Sequence, residues 1–364
     1  MGIRDAIYYD LEGPISSQDH AREVCKRFVP NGDRFFAVLS RYDDILALSG
    51  REGYEPGDTL MLLIPFFAEA GVTERDLLQV SNEARLMPGV AKLFKELKQE
   101  GCSVWIISTS YKPHAFSIAR RVGVPFQMVF CTDPVGFPLN NPWLYFQRQI
   151  TAENLGIISQ IRKKAVGFYH EDLESGVNDA VIQELFDSFF WELLPKTEFG
   201  QMMFKIKVMG GHRKVGALES AVRKNAYEKA LLENQGLWAD EEGYLRDAFI
   251  IVDSITDSQM ARAVEAAGGV AVAWNGNQYI IPYATCGVAA VNARAIGPLF
   301  RAWREGGRRA VREVVESMPK PRDSKTGPYY HWLTGRNLGF HQEVLTIHQR
   351  LRIACRSAEV ARLG

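Results

Sequence analysis

Cysteine is scarce in this sequence and never closely paired. The five cysteines among 364 residues, Cys25, Cys102, Cys131, Cys286 and Cys355, are scattered and include no C-x-x-C pair. This spacing argues against a disulfide framework and against a zinc site, because both need cysteines at short or regular intervals. We therefore expect a protein of a reducing compartment and a cytoplasmic location.

Excess charge and long apolar segments are also missing. Lys plus Arg and Asp plus Glu both number 43, so the formal net charge is zero and no overall basic field favours nucleic acid. The most apolar stretch, residues 59–68, contains Pro65 and is too short to cross a bilayer. The first residues lack a basic region followed by an apolar segment, so we expect no secretory signal. A small molecule or a protein is the expected partner, rather than nucleic acid or a membrane.

Short apolar segments alternate with amphipathic helical patterns in two parts of the chain. The apolar segments are IYYD, CSVWIIS, FQMVFCTD, AFIIVDSITD and VAVAWNG. Helical patterns such as PGVAKLFKELKQEG and SQMARAVEAAGG lie between them. This alternation predicts an α/β fold, in which crossover helices connect the strands of a parallel sheet.

The alternation divides the chain into regions. The expected regions are an α/β core formed by residues 1–16, 86–135 and 205–283, a helical cap at 17–85, an insertion at 136–204 and a helical extension at 284–364. The insertion is a candidate second lid. The extension has two basic amphipathic helical patterns, at about 288–318 and 337–362. We expect them to pack on the domain or to form a homodimer, in preference to binding a membrane or nucleic acid.

Polar side chains follow several of the expected strands. They are Asp10 and Glu12 after the first strand, Ser108, Thr109 and Ser110 after the second, Lys214 at a helix start, and Asp253 and Asp257 after a later strand. Each has an ordinary structural alternative, as a turn residue, a helix cap or a solvated lysine. Together they match what phosphoryl transfer to a carboxylate needs, namely a nucleophile, phosphate-binding donors, a lysine and Mg²⁺ ligands.

In this combination the chain resembles the haloacid dehalogenase (HAD) superfamily, especially its phosphoserine-phosphatase-like branch with a helical cap. The segments DLEGPI, WIISTS, RKVGALESAV and VDSITDSQM carry the resemblance and occur in the family's order. It extends over about residues 6–135 and 205–280. The resemblance implies a Rossmann-like parallel sheet. It also implies a Mg²⁺-dependent phosphohydrolase that acts on a small phosphomonoester through an aspartyl phosphate.

The resemblance also implies a role for each residue. Asp10 would be the nucleophile, Ser108 would hydrogen-bond the phosphate, and Lys214 would bridge the phosphate and Asp10. The family's acid and base, normally an aspartate, would here be Glu12. Its extra methylene moves the carboxylate by roughly one carbon–carbon bond length, which matters where catalytic geometry is tuned. Pro14 replaces the usual threonine and removes a backbone N–H.

The same resemblance implies a magnesium site. Asp10, the backbone carbonyl of Glu12, and Asp253 would hold Mg²⁺, while Asp257 would hold a magnesium-bound water. His20, close behind the first motif, is expected on the surface of a cap helix.

The departures in the first motif keep an alternative open, a non-catalytic HAD-like binding or regulatory protein. HAD-like proteins with a similar D-x-E-G-P segment are associated with energy-converting hydrogenase genes of methanogens. A redox or hydrogenase complex is therefore a candidate partner under this alternative.

Overall fold

The expected strands assemble into one seven-stranded sheet in the computed structural model, which describes residues 4–133, 150–232, 244–319 and 324–356. The strand order is β3-β2-β1-β4-β5-β6-β7; the first six strands run parallel, and β7 runs antiparallel to β6. The expected α/β class is confirmed. The strands are β1 Ala6–Tyr9, β2 Ser103–Tyr111, β3 Val129–Thr132, β4 Phe249–Val252, β5 Val270–Trp274, β6 Cys286–Ala289 and β7 Tyr329–Trp332.

Helices cover both faces of the sheet and form a separate group beyond its carboxyl edge. They are α1 His20–Phe28, α2 Gly32–Ser49, α3 Thr59–Leu62, α4 Ile64–Glu69, α5 Glu74–Glu83, α6 Val90–Gln99, α7 Lys112–Val122, α8 Ala152–Gly167, α9 Asp179–Asp187, α10 Glu198–Met203, α11 His212–Leu232, α12 Ser258–Ala267, α13 Gly297–Ser317 and α14 Leu338–Arg356. None in the described ranges is long and apolar enough to cross a membrane.

The central strands are apolar on both sides because both faces of the sheet are covered. On one face, side chains of α6, α7 and α13 pack against the sheet, among them Phe94, Ile118 and Trp303. On the other face, α11, α12 and α14 contribute to a second apolar core, with Leu218 and Val264 among its buried side chains. Apolar packing on both faces therefore holds the sheet in place, together with the residues at its carboxyl edge.

Register brings the polar strand ends together. Residue Tyr9 of β1 is level with Ile106 of β2 and with Ile251 of β4. The backbone N–H of Asp10 donates to the Ile251 carbonyl over 2.9 Å. The residues that follow these three strands therefore emerge side by side at one edge of the sheet.

The cap helices and the described part of the insertion share one apolar core. Phe35 and Phe66 from the cap and Phe186, Phe190 and Met203 from the insertion are all buried in it. Tilted ring contacts, such as 4.4 Å between the ring centroids of Phe35 and Phe66, fill its centre. Residues 134–149, at the start of the expected insertion, lie outside the described residues.

The C-terminal region differs from the expected all-helical extension, because it adds β6 and β7 to the sheet. The four residues of β6 are buried on both sides. A short strand of this kind has no polar face, so periodicity gives little sign of it. The expected helix at about 288–318 accordingly begins later, at Gly297, and that at 337–362 is described over Leu338–Arg356.

A buried ion pair joins the two parts of the cap core and gives a stability prediction. Arg162 of α8 donates to both carboxylate oxygens of Glu69, over 2.9 and 2.8 Å, and to the Pro30 carbonyl over 2.8 Å. We expect Arg162→Met to lower the free energy of unfolding by about 3 kcal/mol, because it leaves the Glu69 carboxylate without this buried partner. Urea unfolding measures the loss.

The matched control for this change is Arg309→Met. The Arg309 side chain is 88% exposed, and its Nε lies 3.6 Å from Glu313 Oε1 on its own helix. Such a pair contributes about 0.3–0.5 kcal/mol. Equal stability of the two variants would contradict the prediction.

Candidate active site

Three aspartates converge at the carboxyl edge of the sheet. Asp10 directly follows β1, Asp253 directly follows β4, and Asp257 lies at the start of α12. Each offers a carboxylate oxygen within 4.8 Å of the others, and all three are buried. We call Asp10, Asp253 and Asp257 the aspartate cluster. Asp257 is the N-cap residue of α12, but its side chain makes no capping hydrogen bond.

Lys214 is buried inside this cluster. Its Nζ donates to Asp10 Oδ1 over 2.8 Å and to Asp257 Oδ1 over 2.6 Å. Burial alone would lower the pKa of Lys214, but the two carboxylates outweigh it and raise the pKa above its ordinary value. The alternative of a solvated lysine is therefore wrong.

Two glycines give the chain room around the cluster. Gly211, with φ +52°, precedes α11, and its N–H donates to the Thr256 carbonyl over 3.1 Å. Gly13 has φ +114°, and a Cβ there would lie 2.3 Å from Asp253 Oδ2. Glycine tolerates this backbone conformation and the close approach to the carboxylate.

Burial and the neighbouring charges shift the pKa values of Asp10 and Asp257. Burial raises the pKa of Asp10 to about 7; Asp257 adds to the rise and Lys214 opposes it. Burial also raises the pKa of Asp257, again against the effect of Lys214. Asp257 Oδ2 accepts the backbone N–H of Asp253 over 3.2 Å. Asp257 thus positions both Lys214 and the loop after β4.

The Glu12 carboxylate lies beside the aspartate cluster and is not part of it. Its Oε1 accepts a short hydrogen bond from Ser110 Oγ and a 3.2 Å bond from the backbone N–H of His20. Burial, followed by the nearby Asp19, raises the pKa of Glu12 to about 8. The protonated form is thereby favoured at neutral pH, as a general acid requires.

His20 is buried at the start of α1, so the expectation of a surface histidine is wrong. Its ring stacks on His114 with 4.1 Å between centroids, and its Nε2 lies 3.0 Å from the Leu77 carbonyl. Burial lowers the pKa of His20 to about 4. These contacts fix the start of α1 beside Glu12.

The three hydroxyl residues at the end of β2 have different surroundings. Ser108 Oγ accepts the backbone N–H of Ser110 over 3.1 Å, and Ser110 donates to Glu12. Thr109 Oγ1 is buried and has no hydrogen-bond partner among the described residues. Ser108 and Thr109 both line the cavity next to the cluster, where their hydroxyls can bind an anion.

A cavity of about 100 Å³ separates the carboxyl edge of the sheet from the cap. Asp10 and Glu12 face it. Its other walls include Ser108 and Thr109 from the core, Phe36 and Thr59 from the cap, and Arg352 and Arg356 from α14. The volume suits a small ligand or the phosphoryl end of a larger one.

Arg352 and Arg356, the arginine pair, are the site residues that the sequence analysis missed. Arg352 Nη1 and Arg356 Nη1 lie 2.5 and 2.8 Å from the same oxygen, Asp253 Oδ2. Both arginines are buried. Their spacing of four residues in RLRIACR puts them on one helix face, but a basic helix usually has a solvated face, so the spacing alone was not decisive.

The aspartate cluster fits a divalent cation. Asp253 Oδ1 is buried and has no hydrogen-bond partner among the described residues, while Oδ2 is occupied by the arginine pair. Carboxylate oxygens are the ligands that Mg²⁺ prefers. The donor set and the free oxygen are therefore suited to a divalent cation such as Mg²⁺.

Comparisons with known proteins found a family model and solved structures that are similar to this chain. A family model described as haloacid dehalogenase-like hydrolase matches residues 21–148. The solved structure of gene product AF1437 from Archaeoglobus fulgidus is 26% identical, with 100% of this chain and 99% of that chain covered and a TM-score of 0.76. No curated protein matches this chain.

More distant structures include a phosphoserine phosphatase carrying a phospho-aspartyl intermediate analogue, 12% identical over 80% of this chain and 97% of that chain, with a TM-score of 0.44. Another is a HAD family hydrolase, t0658 from Salmonella enterica serovar Typhi, 12% identical over 76% and 64% of the two chains, with a TM-score of 0.41. These two likenesses are too weak to assign a function. The family match and the α/β fold confirm the resemblance to the haloacid dehalogenase superfamily predicted from the sequence.

Proposed function

We propose that the protein is a Mg²⁺-dependent phosphohydrolase that cleaves a small phosphomonoester, with Asp10 as the nucleophile. The observation that carries the proposal is the position of Asp10. Its carboxylate follows the central strand β1, faces the cavity, and has Lys214 Nζ 2.8 Å from Oδ1. A carboxylate in this setting can attack phosphorus while the lysine offsets the combined negative charge.

The reaction would proceed in two displacements. An Asp10 oxygen forms a bond to phosphorus as the bond from phosphorus to the leaving oxygen breaks, and Glu12 gives its proton to the leaving alcohol. Water then attacks the phosphorus of the aspartyl phosphate as the bond from phosphorus to the Asp10 oxygen breaks, Glu12 takes a proton from that water, and inorganic phosphate and the free Asp10 carboxylate result. Ser108 would donate to a phosphate oxygen, and Lys214 would neutralise charge in both displacements.

Magnesium would be held by Asp10, Asp253 and the Glu12 backbone carbonyl, with Asp257 beside them. When bound, it would neutralise charge on the phosphoryl oxygens. Asp257 has a further task that needs no metal, because its contact with Lys214 keeps the lysine pointed at Asp10.

A cytoplasmic location is proposed from the cysteine pattern. A homodimer through the C-terminal helices is proposed from their basic amphipathic character. Part of α14 makes contacts within its own chain, because Val344 packs against the sheet and Arg352 contacts Asp253.

The second candidate function is a non-catalytic phosphate-binding or regulatory protein. Two observations favour it: Glu12 is held by Ser110 and by the His20 backbone, and Asp253 already has two cationic partners. Under this alternative the protein binds phosphate without turnover.

The Asp10→Asn variant tests the nucleophile. We expect the natural chain to release phosphate from members of a panel of phosphorylated metabolites and aryl phosphates when Mg²⁺ is added. Asp10→Asn is expected to lose at least about 10³-fold in kcat, because an amide cannot form the aspartyl phosphate. Phosphate release is measured with and without Mg²⁺, with Asp5→Asn as a control outside the site. No release by the natural chain, together with measurable phosphate binding, would favour the non-catalytic alternative.

Glu12 variants test the acid and base. Glu12→Gln keeps the size of the side chain and removes its titratable proton, so we expect kcat to fall about 10²- to 10⁴-fold. Glu12→Asp restores the family pattern and is expected to keep or raise kcat. The steady-state kcat for the best substrate of the panel is the measurement. A Glu12→Gln variant as active as the natural chain would remove Glu12 from the mechanism.

A further inference from the structure

We propose that Arg356, on the C-terminal helix α14, binds the phosphoryl group of the ligand, while its neighbour Arg352 holds Asp253 in place. This inference rests on the proposed function, because it assigns a new substrate-binding residue to the same site. The segment that supplies it lies far outside residues 21–148, which the family model matches. Two different sets of contacts distinguish the roles of the two arginines.

Arg352 contacts the backbone and the side chain around Asp253 through its Nη1. Its Nη1 is 2.5 Å from Asp253 Oδ2, 3.2 Å from the Asp253 carbonyl and 3.4 Å from the Asn275 carbonyl. The residue is 2% exposed. Contacts of this kind fix the carboxylate that follows β4 and leave its Oδ1 directed elsewhere, so Arg352 is a positioning residue.

Arg356 has an N–H donor without a hydrogen-bond partner among the described residues. Its Nη1 contacts Asp253 Oδ2 over 2.8 Å, while its Nε is buried and has no hydrogen-bond partner among the described residues. The residue is 6% exposed and lines the cavity. A guanidinium offers five N–H donors in a plane that matches a phosphate. A buried donor without a partner is costly, and a phosphoryl oxygen in the cavity would satisfy it.

A second donor without a hydrogen-bond partner among the described residues lines the same cavity. Thr109 Oγ1 is buried without a hydrogen-bond partner among the described residues, and it lines the cavity together with Arg356. Two unsatisfied donors from different elements, β2 and α14, indicate a site built for an oxyanion. The Arg356 guanidinium has donors only and cannot ligate a metal ion, whereas the Thr109 hydroxyl can donate to a phosphate oxygen.

The charge balance of the site leads to the same assignment. The three carboxylates of the aspartate cluster are faced by three buried cations, Lys214 and the arginine pair, and Glu12 and Asp19 line the same cavity. Each buried positive charge beside the aspartate cluster lowers its attraction for a lone divalent cation. The arginine pair therefore weakens binding of the metal alone and strengthens binding of the dianionic phosphoryl group.

Arg356→Gln tests the assignment through two equilibrium titrations in opposite directions. Inorganic phosphate is the anion probe, and Mn²⁺, followed by electron paramagnetic resonance, is the metal probe. We expect the affinity for phosphate to fall about 10- to 100-fold, because a charged hydrogen bond is lost. We expect the affinity for Mn²⁺ without phosphate to rise by about three- to tenfold at low salt, because a nearby positive charge is removed.

The opposite signs separate ligand binding from a structural role. A purely structural arginine would lower both affinities when replaced, and that result would overturn the proposal, as would an unchanged phosphate affinity. Arg350→Gln is the matched control: Arg350 is on the same helix, is exposed, and bonds to the Ser324 carbonyl and Tyr329 Oη. This control is expected to leave both affinities unchanged.

Arg356→Lys provides a second variant that keeps the charge. We expect it to bind Mn²⁺ as weakly as the natural chain does and to keep more phosphate affinity than Arg356→Gln. A lysine variant that matched Arg356→Gln in both titrations would contradict the role of charge. Circular dichroism and the thermal midpoint establish that each variant is folded.

The test distinguishes failure of this inference from failure of the proposed function. Mg²⁺-dependent turnover by the natural chain, with phosphate affinity unchanged in Arg356→Gln, would overturn only the role of Arg356. Loss of phosphate affinity in Arg356→Gln, without turnover by the natural chain, would support the role of Arg356 in a protein that binds phosphate and does not hydrolyse its esters.

Discussion

The buried ammonium of Lys214 is the contact on which the site depends. It lies between Asp10 and Asp257, which follow different strands. Like charges buried this close disfavour each other's ionised form, so a cation between them lets the strand ends approach. Removal of one partner from such a buried group leaves uncompensated charge and is strongly destabilising. The same contact thus holds α11 against the sheet and shapes the surroundings of Asp10.

The sheet and the C-terminal helix contribute different residues to the site. Parallel strands in neighbouring positions bring Asp10, Ser108 and Asp253 to one edge, as expected where the carboxyl ends of strands meet. The helix α14 then adds two positive charges from outside the family-matched segment. The cap closes the opposite side with an apolar core that includes helices of the insertion.

The strands and the aspartate cluster could be predicted because their signals are local. An apolar run followed by a carboxylate is visible in DLEG and in VDSITD, and parallel strand order brings Asp10 and Asp257 together. The place of Lys214 beside Asp10 was implied by the resemblance to the haloacid dehalogenase superfamily. The arginine pair, the strands β6 and β7 and the burial of His20 could not be predicted in the same way. Each depends on which distant element packs nearby, and a four-residue strand or a basic helix has the same local pattern in many environments. The roles of the site residues stay predictions until the variants are measured.

Because α14 contacts Asp253, the surroundings of this carboxylate are completed only late in synthesis. Asp253 emerges from the ribosome about one hundred residues before its partners Arg352 and Arg356. Until α14 docks, closing the core around Asp253 would bury its carboxylate without these cations. Docking of α14 therefore completes the site, and a chain cut before it would lack both of these cations and the apolar contacts that α14 makes with the sheet.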